Sequence, residues 1–213
     1  MEATRIIAVR HGETAWNVDG RIQGQLDIAL NDRGRWQAQR AGEALAGEAI
    51  TAVYTSDLER AQATARSIAA AFGLPVAADR GLRERGFGRF EGLTFEEIHQ
   101  AWPEEAQQWR KRVPQWQPPE GGESLLQLRE RVGRTVHALA GRHAGGQIVM
   151  VTHGGVLDAL YRIATGQAVD APRTWQLPNA AINRLLWTPG GFTLVGWSDT
   201  QHLEAQAIDE NTP

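Results

Sequence analysis

The sequence predicts an α/β fold, a three-layer sandwich with a mixed but mostly parallel sheet. Three observations carry that expectation. Short apolar, β-branched runs alternate with stretches whose apolar residues recur at helical spacing, the pattern of a parallel sheet covered by helices. The last two strand-like runs flank a Pro-Gly-Gly turn and read as a hairpin, which adds an antiparallel strand. The length, 213 residues, suits one sizeable core. We expect one domain over 1–213, with a lid-like insertion at about 94–121.

Arg5 to Val9 is short and apolar and predicts a buried strand, with Arg10-His11-Gly12 at its C-terminal end. Asn31 is a plausible N-cap for a helix over about 32–46. Ile50 to Thr55 predicts a second strand. Ser56 to Glu59 fits a capping box with Ser56 as N-cap. Leu58, Ala61, Ala65, Ile68 and Phe72 continue that helix at core-facing spacing, and Gly73 and Pro75 end it. Residues 81–92 are glycine-rich and predict a loop. Thr94 and Glu97 form another capping box, opening a short helix that Pro103 breaks. Pro114 to Gly122 predicts a surface connection. Leu125, Leu128, Val132, Val136 and Leu139 mark one face of a longer helix. Gln147 to Thr152 predicts another buried strand, followed by His153-Gly154-Gly155 and an apolar helix to about Ala164. Ile182–Trp187 and Phe192–Trp197 form the hairpin, and a loose tail is expected from about Ala205.

Composition excludes several functions. The formal net charge of −3 offers nothing to nucleic acid or an anionic membrane. With no cysteine, disulfides, Cys-ligated metals and thiolate nucleophiles are out. The start, Met1-Glu-Ala-Thr-Arg, has no signal-peptide pattern and no stretch is long enough to span a bilayer, so a cytoplasmic location is expected. Lys111 is the only lysine; arginine, which grips phosphate with two hydrogen bonds, supplies every other cation, although compositional bias accounts for most of them. There is no P-loop, no G-x-S-x-G elbow, no zinc-helix histidine pair, no D-x-D pair and no G-x-G-x-x-G. Apart from the N-terminal amine, the nucleophiles left are His, Asp, Glu, Ser, Thr and Tyr.

Arg10, His11, Arg60 and His153 all fall at carboxyl ends of predicted strands or within the next helical turn, where ligands bind in such folds. A neutral imidazole can attack phosphorus through one nitrogen while a backbone acceptor holds the other. Arg10 would disfavour imidazolium and bind the anion, and Gly12 would let the backbone approach a phosphate without a Cβ. Arg60 lies in the first turn of its helix, where amides and the helix dipole also favour an anion. The glycines after His153 suggest an open site. Glu84, on the glycine-rich loop, could act as general acid or be a surface charge paired with Arg83 or Arg85. Taken singly each residue has an ordinary structural reading; their joint placement favours a site.

Several motifs then resemble one family. Arg10-His11-Gly12-Glu13-Thr14-Ala15-Trp16-Asn17 is similar to the R-H-G-x-T-x-x-N signature of the histidine phosphatase superfamily, which includes cofactor-dependent phosphoglycerate mutases. Ser56 to Ala65 resembles its S-x-L-x-R-A-x-x-T-A element, Glu84 to Gly92 its acidic loop, and Thr152 to Gly155 its second histidine; Gly121-Gly122-Glu123-Ser124 is also in pattern. The matches are in family order over roughly 5–198. The resemblance implies the phosphoglycerate mutase-like fold, a phosphohistidine on His11, and Arg10, Asn17 and Arg60 as phosphate ligands. It implies His153 as support for the transferring phosphoryl group and Glu84 as proton donor, later the base for water. Gln23 and Gly24 fall where the family's substrate-side loop meets phosphate or leaving group.

It further implies a phosphatase for a small-molecule phosphate monoester, with no cofactor and no metal. The mutases of this type carry Y-G-x-L-x-G-L-N-K after the acid, whereas Phe87 to Thr94 lack the Asn-Lys pair. A mutase, or a phospho-ligand binding module without catalysis, is the alternative, and a homodimer is allowed. Trp102, Trp109 and Trp116 recur at spacing seven around Arg110, Lys111 and Arg112. They would pack the lid onto the domain or build an apolar or second-anion subsite.

Overall fold

Strand β1 (Thr4–Arg10) is buried at most positions because it runs through the middle of a six-stranded sheet. The computed structural model describes residues 2–204, so the expected tail from Ala205 lies outside the described residues. After β1 come a one-turn helix α1 (Ala15–Val18), α2 (Asp32–Leu45), β2 (Ala52–Thr55), α3 (Glu59–Ala70) and β3 (Val76–Ala78). Then follow α4 (Phe95–Ala101), α5 (Pro103–Arg110), α6 (Leu125–Ala140), β4 (Gln147–Thr152), α7 (Gly154–Thr165), β5 (Ile182–Thr188) and β6 (Gly191–Asp199). The strand order is β3-β2-β4-β1-β5-β6. The first three pairings are parallel; β5 runs antiparallel to β1, and β6 to β5.

The three layers follow from side-chain alternation along the strands. Ile7, Val9, Val149 and Val151 point to one face and pack with Ala41 and Leu45 of α2 and Ala61, Ala65 and Ile68 of α3. Ile6, Ala8, Ile148 and Met150 point to the other, against Leu128, Val132 and Val136 of α6 and Leu157 and Leu160 of α7. A third cluster surrounds buried Phe90, Ile98 and Ala106, with Trp102, Trp109 and Trp116 packed against it. Trp109 stacks on Phe90 with 5.8 Å between ring centroids, so the packing reading of the tryptophans holds.

Some local expectations give way. The hairpin adds two antiparallel strands rather than one. Helix α3 starts at Glu59 with Leu58 as N-cap and no side-chain cap, so the Ser56 capping box does not form. Ser56 Oγ instead accepts from the amide of Leu58 at 3.3 Å. Pro103 ends α4 as expected, yet it also occupies the first position of α5, where its missing N–H costs nothing. The Asn31 cap and the Thr94–Glu97 box are both present. One 3-10 turn, Arg80–Leu82, leads into the loop 81–92, and a second, Gly88–Phe90, lies within it. No helix among the described residues is long and apolar enough to cross a membrane.

Candidate active site

The site grows from the ladder between β1 and β4. Arg10 lies opposite Thr152, and the His11 amide donates to the Thr152 carbonyl at 2.9 Å. His11 and His153 therefore leave neighbouring strands at the same level, with ring centroids 5.1 Å apart. Both are buried. His11 Nδ1 lies 2.7 Å from the Gly12 carbonyl oxygen. A carbonyl only accepts, so the proton belongs on Nδ1 and the lone pair on Nε2. Burial pushes the His11 pKa well below its ordinary 6.5, and Arg60 and Arg10 push it further. Burial does the same for His153, with Arg60, His11 and Arg10 adding to it. Both rings are thus neutral near pH 7.

Gly12 is needed for a different reason from the one the sequence suggests. A Cβ there would stand 2.3 Å from the Gly34 carbonyl oxygen, so the glycine serves the close approach of the loop to α2. The neighbouring backbone is held by Asn179, whose Nδ2 donates to the His11 carbonyl at 3.0 Å.

Arg60, in the first turn of α3, donates to the carbonyls of Leu26 and Gly24, each at 2.7 Å. Arg10 donates to the Leu177 carbonyl. Both guanidiniums keep a buried Nε with no partner among the described residues, as do Gln23 Oε1 and both ring nitrogens of His153. Buried polar atoms are seldom left unpaired, and Arg10, Arg60 and Gln23 line one cavity. Asn17 closes a capping box with Thr14, its Oδ1 accepting from the Thr14 amide at 3.0 Å. That network assigns the amide oxygen, and Asn17 is one of the residues that line the cavity. Gly24 adopts φ +50°, and a Cβ on it would meet Glu91 Oε1 at 2.1 Å.

Glu84 is not paired with Arg83 or Arg85 through their side chains. Arg83 instead grips Asp57 with two bonds of 2.6 and 2.7 Å. The Glu84 carboxyl group sits on the N-terminus of α7, accepting from the Gly155 amide at 3.0 and 3.1 Å and from the Arg85 amide at 2.7 Å. Its loop is fixed from behind by Arg131. That side chain donates to the carbonyls of Gly81 and Arg83, each at 2.9 Å, and makes two bonds to Glu123 at 2.8 and 2.6 Å.

Arg10, His11, Asn17, Gln23, Gly24, Arg60 and Glu84 all line one cavity of about 810 Å³, and His153 lies behind it against His11. The sequence reading thus collected residues that the fold brings together. It missed Asn179 and Arg131, whose partners are 168 and about 50 residues away and leave no local pattern. Among the described residues no three His, Asp or Glu side chains cluster as metal ligands would. The arrangement combines a neutral imidazole with a free Nε2 lone pair, cationic donors for an anion and a carboxyl group lining the same cavity, a set suited to phosphoryl transfer.

The profile of the histidine phosphatase superfamily (branch 1) matches residues 6–200. Phosphoglycerate mutase-like protein 4 of Arabidopsis thaliana is 41% identical over 207 residues, covering 96% of this chain and 89% of that protein. The metal-independent phosphoserine phosphatase of the same plant is 38% identical, covering 96% and 85%. The crystal structure of phosphoserine phosphatase from Entamoeba histolytica with 3-phosphoglyceric acid superposes with a TM-score of 0.85. It is 29% identical, over 94% of this chain and all of that one.

Proposed function

The chain belongs to the histidine phosphatase superfamily, and on that premise we propose that it is a phosphatase hydrolysing small phosphate monoesters through a phosphohistidine on His11. One observation carries the reading. The Gly12 carbonyl fixes the His11 proton on Nδ1, leaving a neutral Nε2 beside two arginines, Arg10 and Arg60, whose Nε atoms are buried and unpartnered. In the first step Nε2 attacks phosphorus in line, and the N–P bond forms as the P–O bond to the alcohol breaks. Glu84 gives its proton to the departing oxygen. In the second step a water attacks phosphorus, Glu84 takes its proton, and the N–P bond breaks to return the lone pair to Nε2. Arg10, Arg60 and Asn17 hold the non-bridging oxygens through both steps, and His153 donates one hydrogen bond to them. Gln23 and Gly24 lie on the leaving-group side. Residues 94–121 act as a lid, a reading supported by Phe95, Trp109, Arg110 and Arg112 in the cavity wall.

The mutase reading rests on relatives bearing that name, and it is the weaker of the two. The Asn-Lys pair of the mutase loop is missing from Phe87 to Thr94. A relative named metal-independent phosphoserine phosphatase covers nearly the whole chain. With 3-phosphoglycerate and catalytic 2,3-bisphosphoglycerate we expect released phosphate and little 2-phosphoglycerate. Rapid quench with labelled 4-nitrophenyl phosphate should trap an acid-labile, base-stable phosphoenzyme that His11→Ala does not form. Label on Ser, Thr or Asp, or fast isomerisation without phosphate release, would overturn the proposal.

A further inference from the structure

One turn, Leu177 to Ala181, meets Arg10, His11 and Asn17 from behind. The Leu177 carbonyl accepts from the Arg10 side chain. The Ala180 amide donates to the Arg10 carbonyl at 3.1 Å and to the His11 carbonyl at 3.3 Å. Asn179 Nδ2 donates to the His11 carbonyl at 3.0 Å and to Asn17 Oδ1 at 3.2 Å. The Asn17 oxygen is fixed as an acceptor because it also takes the Thr14 amide, at 3.0 Å. The group on Asn179 that faces two acceptors must then be its NH2. One amide thus joins the backbone of the nucleophile to the side chain of a phosphate ligand.

Two features set this turn apart from an ordinary lead into β5. Ala180 holds φ +56°, a left-handed conformation unfavourable for a residue with a Cβ. Strain of this kind persists only where the surroundings enforce it, and it gathers at functional sites. Here it is enforced from both sides. The Ala180 amide is held by the Arg10 and His11 carbonyls, and the Ala180 carbonyl accepts from His202 Nε2 at 3.1 Å. The second feature is α1, which carries Asn17. This helix is one turn long and buries none of its residues, so packing does little to set its distance from His11. Its capping box holds Asn17 Oδ1 to Thr14, inside the same turn. The Asn179 bond ties Asn17 to the nucleophile's own backbone instead. Asn179 is not in the cavity wall, so any effect it has on the reaction passes through the residues it holds.

We propose that Asn179 is a positioning residue for phosphoryl transfer: its amide clips Asn17 to the His11 backbone and so holds a phosphate ligand at a fixed distance from the nucleophile. The proposal rests on the phosphohistidine reading for the step it assists, but not for anion binding. Truncating Asn179 leaves the His11 carbonyl with the Ala180 amide, so the loss falls on Asn17.

The test is a double-mutant cycle read in single-turnover formation of phosphohistidine from 4-nitrophenyl phosphate. Asn17→Ala should slow that step by about 10²-fold. Asn179→Ala should slow it by about 30-fold, the scale of a misplacement just under 1 Å. In the double variant the rate should stay within about threefold of Asn17→Ala alone, because two changes that remove one contact do not add. On a Glu84→Gln background, with glycerol 3-phosphate, the Asn179→Ala loss should persist in full. Asn179→Asp keeps the shape of the side chain and turns its donor into an acceptor. It should lose as much as Asn179→Ala, and it carries the same cycle should the alanine variant fail to fold. A lowered melting temperature with a rate within about threefold of wild type would make the turn merely structural and overturn the proposal. So would losses that multiply in the cycle with Asn17→Ala, or a loss that vanishes on Glu84→Gln; both leave the phosphatase reading intact. Vanadate binding, measured by calorimetry, repeats the cycle without turnover. Coupled losses there, in an enzyme that releases phosphate from neither monoester, would uphold the clip and overturn the phosphatase reading.

Discussion

Replacing Gly155 with alanine tests whether the Glu84 carboxyl group must stand where the first turn of α7 holds it. The Gly155 amide donates to both carboxyl oxygens at 3.0 and 3.1 Å. A Cβ at this position would lie 2.3 Å from Oε1, whereas ordinary contact begins near 3.4 Å, so the carboxyl group must withdraw by about 1 Å. A misplacement of that size costs on the order of 10²-fold when proton transfer depends on it. The backbone itself accepts the change. Gly155 does not have a positive φ, and alanine is favoured over glycine in a helix by roughly 0.5–1 kcal/mol. Gly155→Ala should therefore keep or slightly raise the melting temperature while slowing the chemistry. The assay is single-turnover formation of phosphohistidine, with an alkyl phosphate and with 4-nitrophenyl phosphate. The alkoxide leaves as a strong base and needs the proton, so its rate should fall about 10²-fold; 4-nitrophenolate hardly needs one and should lose only a few-fold. Glu84→Gln should reproduce the contrast. An unchanged alkyl rate in Gly155→Ala would refute the assignment. Equal losses for both substrates would move Glu84 from proton donor to a positioning residue for Arg10 and Arg60.

Three further outcomes follow from the same geometry. With His11 and His153 held well below 6.5 by burial, the unfolded chain gains protons below about pH 6.5 that the folded chain refuses, so stability falls as pH drops through that value. Denaturant titrations should show a shallower decline for His153→Gln, and equal slopes would refute the burial argument. Gly12→Ala places a Cβ against the Gly34 backbone, which cannot swing aside; it should cost roughly 1–3 kcal/mol and abolish phosphohistidine formation, and a wild-type melting curve with full activity would contradict it. Activity should survive EDTA and yield to vanadate, while loss in EDTA with recovery on adding Mg²⁺ or Zn²⁺ would refute a metal-free reaction.

How much of this was legible in the sequence depended on how local each signal is. Strands β1 and β4 announce themselves because both faces are buried, so their apolar runs are continuous. Strand β3 has three residues, two of them exposed, and carries no pattern to read. The Ser56–Glu59 spacing satisfied the rule for a capping box, but tertiary contacts start α3 at Glu59, with the amide of that residue bound by Asp27 at 2.7 Å. Glu84 was legible as a carboxyl group on a glycine-rich loop. That the α7 N-terminus grips it, and that Arg131 braces the loop, depends on contacts about 50–70 residues apart. Gly12 was legible as a glycine with a purpose, but its neighbour Gly34 comes from another element and changes what that purpose is.

The pairing of Arg10 with Thr152 has a consequence for how such a protein can diversify. Neighbouring strands stand about 4.8 Å apart wherever a sheet forms, and the two imidazoles, each one residue past that pair, are 5.1 Å apart. The interval between them is in effect a lattice constant, maintained by main-chain bonds that no single side chain controls. The connections that carry Glu84 and residues 94–121 can lengthen, shorten or exchange composition without disturbing it. The spacing of the two histidines is thereby inscribed in the ladder, while the placement of Glu84 and of the cavity wall is inscribed in the loops, and the second can be rewritten while the first stays still.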